Sequence, residues 1–155
     1  MLNKIHIGVI GAGACSTEIY GIAYEVGWLV GQNEWVLVCG GLGGVMEGAA
    51  KGCFENGGAT VGLLPGAEKH SANPFVTLAI PTGMGEARNV LVVRASDVVI
   101  AIAGGYGTLS EIGLALKIGR PVIGLGTWQD IDGVDYVETP DQAINMVVKC
   151  LSRLK

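Results

Sequence analysis

A chain of 155 residues, half of them hydrophobic, has enough apolar material for one core, and a domain of that length buries roughly 70% of its unfolded surface. A formal net charge of −4 with no Lys/Arg cluster excludes a surface that neutralises the phosphates of long nucleic acids. Glycine interrupts every apolar run short of the ~18 residues a membrane helix needs, and the N-terminus has no apolar h-region with a cleavage site, so a cytoplasmic protein without membrane attachment is expected. The four cysteines, Cys15, Cys39, Cys53 and Cys150, contain no CxxC pair. With only His6 and His70 beside them they make no metal-ligand pattern, so no metal is expected and the thiols read as small buried hydrophobes.

The first apolar strand covers residues 5–10 and runs into Gly11-Ala12-Gly13. The turn invites comparison with a dinucleotide site, but Ser16 stands where the third glycine of GxGxxG belongs, and a glycine turn after the first strand is common to many doubly wound folds. A helix starts near Ser16, and a second strand, residues 35–39, leads into Gly40-Gly41-Leu42-Gly43-Gly44 and a helix from Gly44 that Asn56-Gly57-Gly58 ends. That run exceeds what a tight turn requires. Its reading as backbone N–H groups presented to an anion stands beside one as close helix-to-sheet packing.

A third strand, residues 60–64, precedes a loop at 65–74 that carries His70; a fourth, residues 76–80, precedes a helix from near Met84. Arg88 lies in the first turns of that helix, the wrong end of the dipole for a cation, so an anion is expected to compensate it. The bland alternative is an arginine laid along the surface with Glu86 as partner.

The fifth strand, residues 97–103, is almost wholly apolar and β-branched and meets Gly104, Gly105, Tyr106, Gly107 and Thr108. Those glycines turn N–H groups outward at a helix N-terminus, and a phosphate would sit well there. Glu111 follows, either as a chemical group facing the same ligand or as the last member of a Thr108–Glu111 capping box. Gly119 and Pro121 end this helix, whose apolar face of Ile112, Ala115 and Leu116 serves as core or as an interface. A sixth strand covers 122–125, a loop 127–134 follows, and a final helix begins at Thr139 with Pro140 and Gln142 completing a capping box. Trp28, Trp35 and Trp128 read as core or lid.

Strands alternating with helices imply a doubly wound, mainly parallel sheet covered on both faces, Rossmann-like, over residues 1–155 as a single unit. In such a sheet every strand-to-helix turn lies on the carboxyl rim, so both glycine runs, Arg88 and Glu111 converge there. No P-loop is present, and no segment reads as a pyridoxal site.

These residues resemble the LOG-like family, Rossmann-type proteins named after cytokinin-activating phosphoribohydrolases and sometimes labelled lysine decarboxylases. Gly40 to Glu47 is similar to the family's GGGxxGLMG, Ala103 to Glu111 to its PGGxGTxxE, and Arg88 to its catalytic arginine in MxxRK. Cys39, Glu47, Asn89 and Ala103 depart from those motifs, and the departures resemble a sister branch containing molybdenum cofactor carriers. The resemblance implies Arg88 and Glu111 as catalytic residues. It also implies a nucleotide 5′-monophosphate or a molybdopterin-type ligand with no required cofactor, and a homodimer or homotetramer. Two functions follow as expectations: hydrolysis of an N-glycosidic bond to free base and ribose 5-phosphate, or non-catalytic carriage of a phosphorylated pterin or nucleotide.

Overall fold

β-branched and aliphatic runs form the middle of the sheet. β1 (His6–Gly11), β2 (Val36–Cys39), β5 (Val98–Ile102) and β6 (Val122–Leu125) are buried along nearly all their length, as parallel strands covered on both faces must be. The computed structural model describes residues 3–155. With β3 (Thr60–Leu64), β4 (Leu78–Pro81) and β7 (Val134–Val137) these strands make one seven-stranded sheet in the order β4-β3-β2-β1-β5-β6-β7, parallel throughout. The doubly wound reading is therefore correct.

Alternation along each strand separates two cores. Ile7, Val9, Leu37, Cys39, Ile100 and Ile102 face the layer of α1 (Thr17–Gln32), α2 (Val45–Glu55) and α5 (Pro140–Arg153). Ile10, Val38, Val99, Ala101 and Val122 face α3 (Asn89–Arg94) and α4 (Tyr106–Lys117). Ile112 and Ala115 are fully buried here, so that face of α4 is core. Three helix-start expectations hold within a residue or two: Ser16 caps α1 through its side chain, Gly44 precedes α2, and Thr139 accepts from the Gln142 N–H. The Gln142 amide oxygen reaches the N–H of Glu138, one residue before the cap.

Three elements differ from expectation. β7 starts at the last residue of the loop expected at 127–134 and is a strand that no apolar run marks, because its four residues at a sheet edge include Asp135. The fourth helix starts at Tyr106, two residues before Thr108, so Thr108 is inside the helix and caps nothing. The helix expected from Met84 is a 3-10 turn, Gly85–Arg88, followed by only six α-helical residues.

α1 and α2 cross at glycines. A Cβ at Gly27 would be driven into the Ala49 carbonyl, one at Gly52 into the Tyr24 carbonyl, and one at Gly48 would lie 2.8 Å from the Tyr20 carbonyl oxygen. Overpacking of this kind costs about 1–3 kcal/mol. Gly27→Ala and Gly52→Ala should each lower stability by that amount in urea unfolding. Gly21→Ala, on α1 with open space around it, should raise it by up to about 1 kcal/mol.

Candidate functional site

Chain direction makes the site. β1 through β4 are laid outward on one side, and the chain then returns to place β5 on the other flank of β1. Turns leaving β1 and β5 therefore go to opposite faces, and the crevice between them is the switch point at which open parallel sheets bind ligands. A cavity of about 390 Å³ occupies it. Gly11, Ala12 and Gly13 line it from β1; Gly40, Leu42 and Met46 from the β2 turn and α2; Glu86, Arg88 and Asn89 from the segment after β4; and Gly105, Gly107, Thr108 and Glu111 from the β5 turn and α4.

No side chain caps α4, and its N-cap is Gly105. The N–H groups of its first turn thus have no side-chain cap, and the positive end of the helix dipole lies at the cavity wall. The α2 terminus is different, since its first N–H donates to the Ala12 carbonyl at 2.9 Å. Gly41 and Gly44 have φ of +79° and +65° and press against Leu64 and Ala12, while Gly43 meets the Gly13 carbonyl. Of the second glycine run only Gly40 and Leu42 reach the cavity, and Gly41, Gly43 and Gly44 serve the packing alternative. Gly40 itself makes room for the arginine, because a Cβ there would sit 2.6 Å from an Arg88 Nη.

Arg88 is 9% exposed, which excludes the surface-lying arginine. Its Nε donates to the Leu63 carbonyl at 2.7 Å, one Nη to the Gly40 carbonyl at 3.4 Å and the other to the Asn89 side-chain oxygen. Two of the five N–H donors of a guanidinium remain. Glu86 does not pair with it: among the described residues no Asp or Glu lies within ion-pair distance of Arg88. Asn89 is buried, and its amide donates to the Ser110 hydroxyl, which donates to the Gly107 carbonyl. A chain of bonds therefore runs from the guanidinium to the glycine turn.

Glu111 is 8% exposed and lies more than a turn inside α4, so it is not a capping residue. Burial pushes its carboxyl up to about 7, with the Arg88 charge only partly offsetting the lost hydration. Behind Gly40, burial likewise pushes the Cys39 thiol up to about 11, which keeps it protonated and un-nucleophilic.

Gly104 and Tyr106 stand outside the cavity wall. Gly104 has φ +100° and packs on Thr108. Tyr106 is 83% exposed, its ring 5.8 Å from that of Trp128. Trp128 donates from its indole N–H to the Gly105 carbonyl, and the Thr127 hydroxyl donates to that of Ala103, so the loop after β6 braces the turn from behind. His70 is exposed and outside the cavity. Leu42, Met46, Glu86 and Asn89 line the cavity as well. The first two belong to the second glycine run, and the others flank Arg88 in the segment after β4.

Ala103 has φ +51°. Proline, which the LOG-like motif has at this position, holds φ near −65°, so the turn takes another path here. A left-handed alanine costs about 1–2 kcal/mol relative to a permissive residue. Ala103→Gly should therefore raise stability by roughly 1 kcal/mol, and Ala103→Pro should abolish the cooperative urea transition of the wild type.

Titration of Glu111 gives a second expectation. Its folded value near 7 lies above the unfolded carboxyl value of 4.5, so the folded state holds the extra proton between them. Unfolding free energy should fall as pH rises from about 4.5 to 7, by an amount on the order of 3 kcal/mol. In Glu111→Gln, urea melts across that range should lack this component.

Residues 4–150 match the family model described as the SLOG cluster4 family. A cytokinin riboside 5′-monophosphate phosphoribohydrolase of Mycobacterium tuberculosis is 30% identical over 133 residues, spanning 76% of this chain and 67% of that protein. Among solved structures, the molybdenum cofactor binding protein of the phototrophic bacterium Rippkaea orientalis superposes with a TM-score of 0.88 at 37% identity, over 97% of this chain and 99% of that one. The molybdenum cofactor carrier protein of Chlamydomonas reinhardtii does so with a TM-score of 0.87 at 34% identity and the same coverage.

Proposed function

The chain belongs to the SLOG cluster4 family, in keeping with its LOG-like motifs, and from that premise we propose that it binds and carries a small phosphorylated heterocycle. The ligand class is a phosphorylated pterin of the molybdopterin type or a nucleoside 5′-monophosphate. The observation that carries this reading is the uncapped start of α4 opening on the cavity that Arg88 and Glu111 also line. N–H groups at Gly105, Gly107 and Thr108 hold the phosphate, the two spare Arg88 donors reach it or the adjoining sugar or pyran oxygens, and Gly11 to Gly13 form the floor. Likeness to two proteins named for binding and carrying the molybdenum cofactor, over nearly their whole length, supports carriage. Assembly as a homodimer or homotetramer belongs to the same proposal.

Hydrolysis is the second reading, favoured by a cavity carboxyl that titrates near neutrality, where a general acid or base works best, and by the mycobacterial relative. In that reaction the oxygen of water bonds to C1′ as the bond from C1′ to the base breaks. The base leaves with the bonding pair and takes up a proton, and Glu111, taking one proton from the attacking water and giving one to the base, ends the turnover in its starting protonation state.

Calorimetry with a panel of nucleoside 5′-monophosphates, with free base assayed in parallel, tests both. Binding without base release, weakened about tenfold or more in Arg88→Ala, together with a pterin-sized adduct in native mass spectra of freshly purified protein, is the outcome expected for a carrier. Base release by the wild type that disappears in Glu111→Gln selects hydrolysis instead. Neither binding, nor release, nor an adduct overturns both.

A further inference from the structure

Parallel strands are stable when both faces of their sheet are covered, and on the side of α3 and α4 the outer strands β3 and β4 are not. The connection between them, residues 65–77, supplies only the 3-10 turn Lys69–Ser71, and α3 is six residues long. Register places Val61, Leu78 and Ile80 on that side, together with Val36 of β2. Val36 and Val61 are half-buried, whereas Leu78 is 55% and Ile80 39% exposed. Unlike a charged group, a contiguous apolar strip gains nothing from water, and covering it gains about 25 cal/mol per Å².

α3, on the same side of the sheet, offers no polar face to solvent either. Val92 and Val93 are fully buried in the core, and Val90 and Leu91 are half-buried on its other side. A helix that is apolar all round belongs inside a structure. The exposed charges of the run Gly85–Arg94 stand at its two ends, Glu86 at the first and Arg94 at the last, roughly 13 Å apart along the axis. Arg88 between them is buried. A second copy related by a two-fold axis near Val90 runs antiparallel to the first, so each Glu86 meets the partner's Arg94 and apolar strip meets apolar strip. The surface is complementary to itself, as an isologous interface requires.

Resting on the assembly proposed above, we infer that the chain pairs with a second copy of itself through the uncovered face of β3 and β4 and the outer side of α3. The apolar strip forms the core of the interface, with Glu86 and Arg94 in its rim. Because Glu86 also lines the cavity, the interface adjoins the candidate site.

Sedimentation velocity and light scattering of the full chain without ligand read the assembly. The wild type should be a dimer, or a tetramer built from such dimers. Leu78→Asp should halve that mass while keeping a cooperative urea transition, and Val148→Asp, on α5 at a position 48% exposed, should leave it unchanged. Glu86→Arg and Arg94→Glu, which set like charges opposite each other, should each raise the dissociation constant roughly tenfold or more, and the double variant should return towards the wild type. If Leu78→Asp does not fold, the charge variants decide alone. A wild type that is monomeric at every concentration overturns the assembly reading and this inference together. An assembly that survives Leu78→Asp, is lost equally in Val148→Asp, or is no tighter in the double variant than in its single parents overturns this inference alone.

Discussion

The parallel pairing of β1 with β5 is the constraint on which the rest depends. Once Ile7 to Gly11 lie in register with Val98 to Ile102, the two chains leaving the rim must part, one to α1 and the other to α4 on the opposite face. Backbone that parts in this way leaves its amides and carbonyls without sheet partners, and they must be satisfied locally or by a ligand. Gly11 shows how tightly the strands and helices close beneath the crevice, since a Cβ there would meet Val45 at 2.6 Å and run into the Ile102 carbonyl. The cavity is thus a product of topology, with glycine allowing the surrounding backbone to approach.

Electrostatics within the crevice are balanced by backbone as much as by side chains. One guanidinium shares the crevice with two carboxylates, buried Glu111 and exposed Glu86, which by side-chain charge alone is a poor host for a phosphate. What alters the balance is the start of α4, equivalent to roughly half a positive charge, together with burial that keeps Glu111 partly protonated near neutrality. Binding an anion in such a site draws the Glu111 carboxyl further towards its neutral form, so ligand uptake and proton uptake are linked.

Arg88 shows how a costly group is retained. A cation this buried must be hydrogen-bonded to be tolerated, and here the Leu63 and Gly40 carbonyls and the Asn89 amide supply the partners. Asn89 stands where the LOG-like motif has lysine. A lysine has no acceptor for the guanidinium, so this chain joins its arginine to Ser110 and the glycine turn by a bond that the motif residue could not make. This departure from the motif is therefore a connected part of the site.

By itself the sequence determined the parallel, doubly wound architecture, because β-branched runs alternating with capped helices have few other ways to bury both faces. It also pointed to the rim where Gly11, Gly40, Gly105, Arg88 and Glu111 meet, since chain direction places every strand-to-helix turn there. Local pattern could not separate glycines that face the crevice from those, such as Gly41, Gly44 and Gly104, that let one backbone approach another, because both needs select the same residue. Nor could it show that Thr108 lies inside α4, that β7 joins the edge, or that Glu86 and Asn89 turn towards the cavity. Those were decided by the tertiary structure, because each depends on contacts between segments far apart in the chain, and burial, which sets the charge of Glu111 and the bonds of Arg88, exists only once those segments are packed.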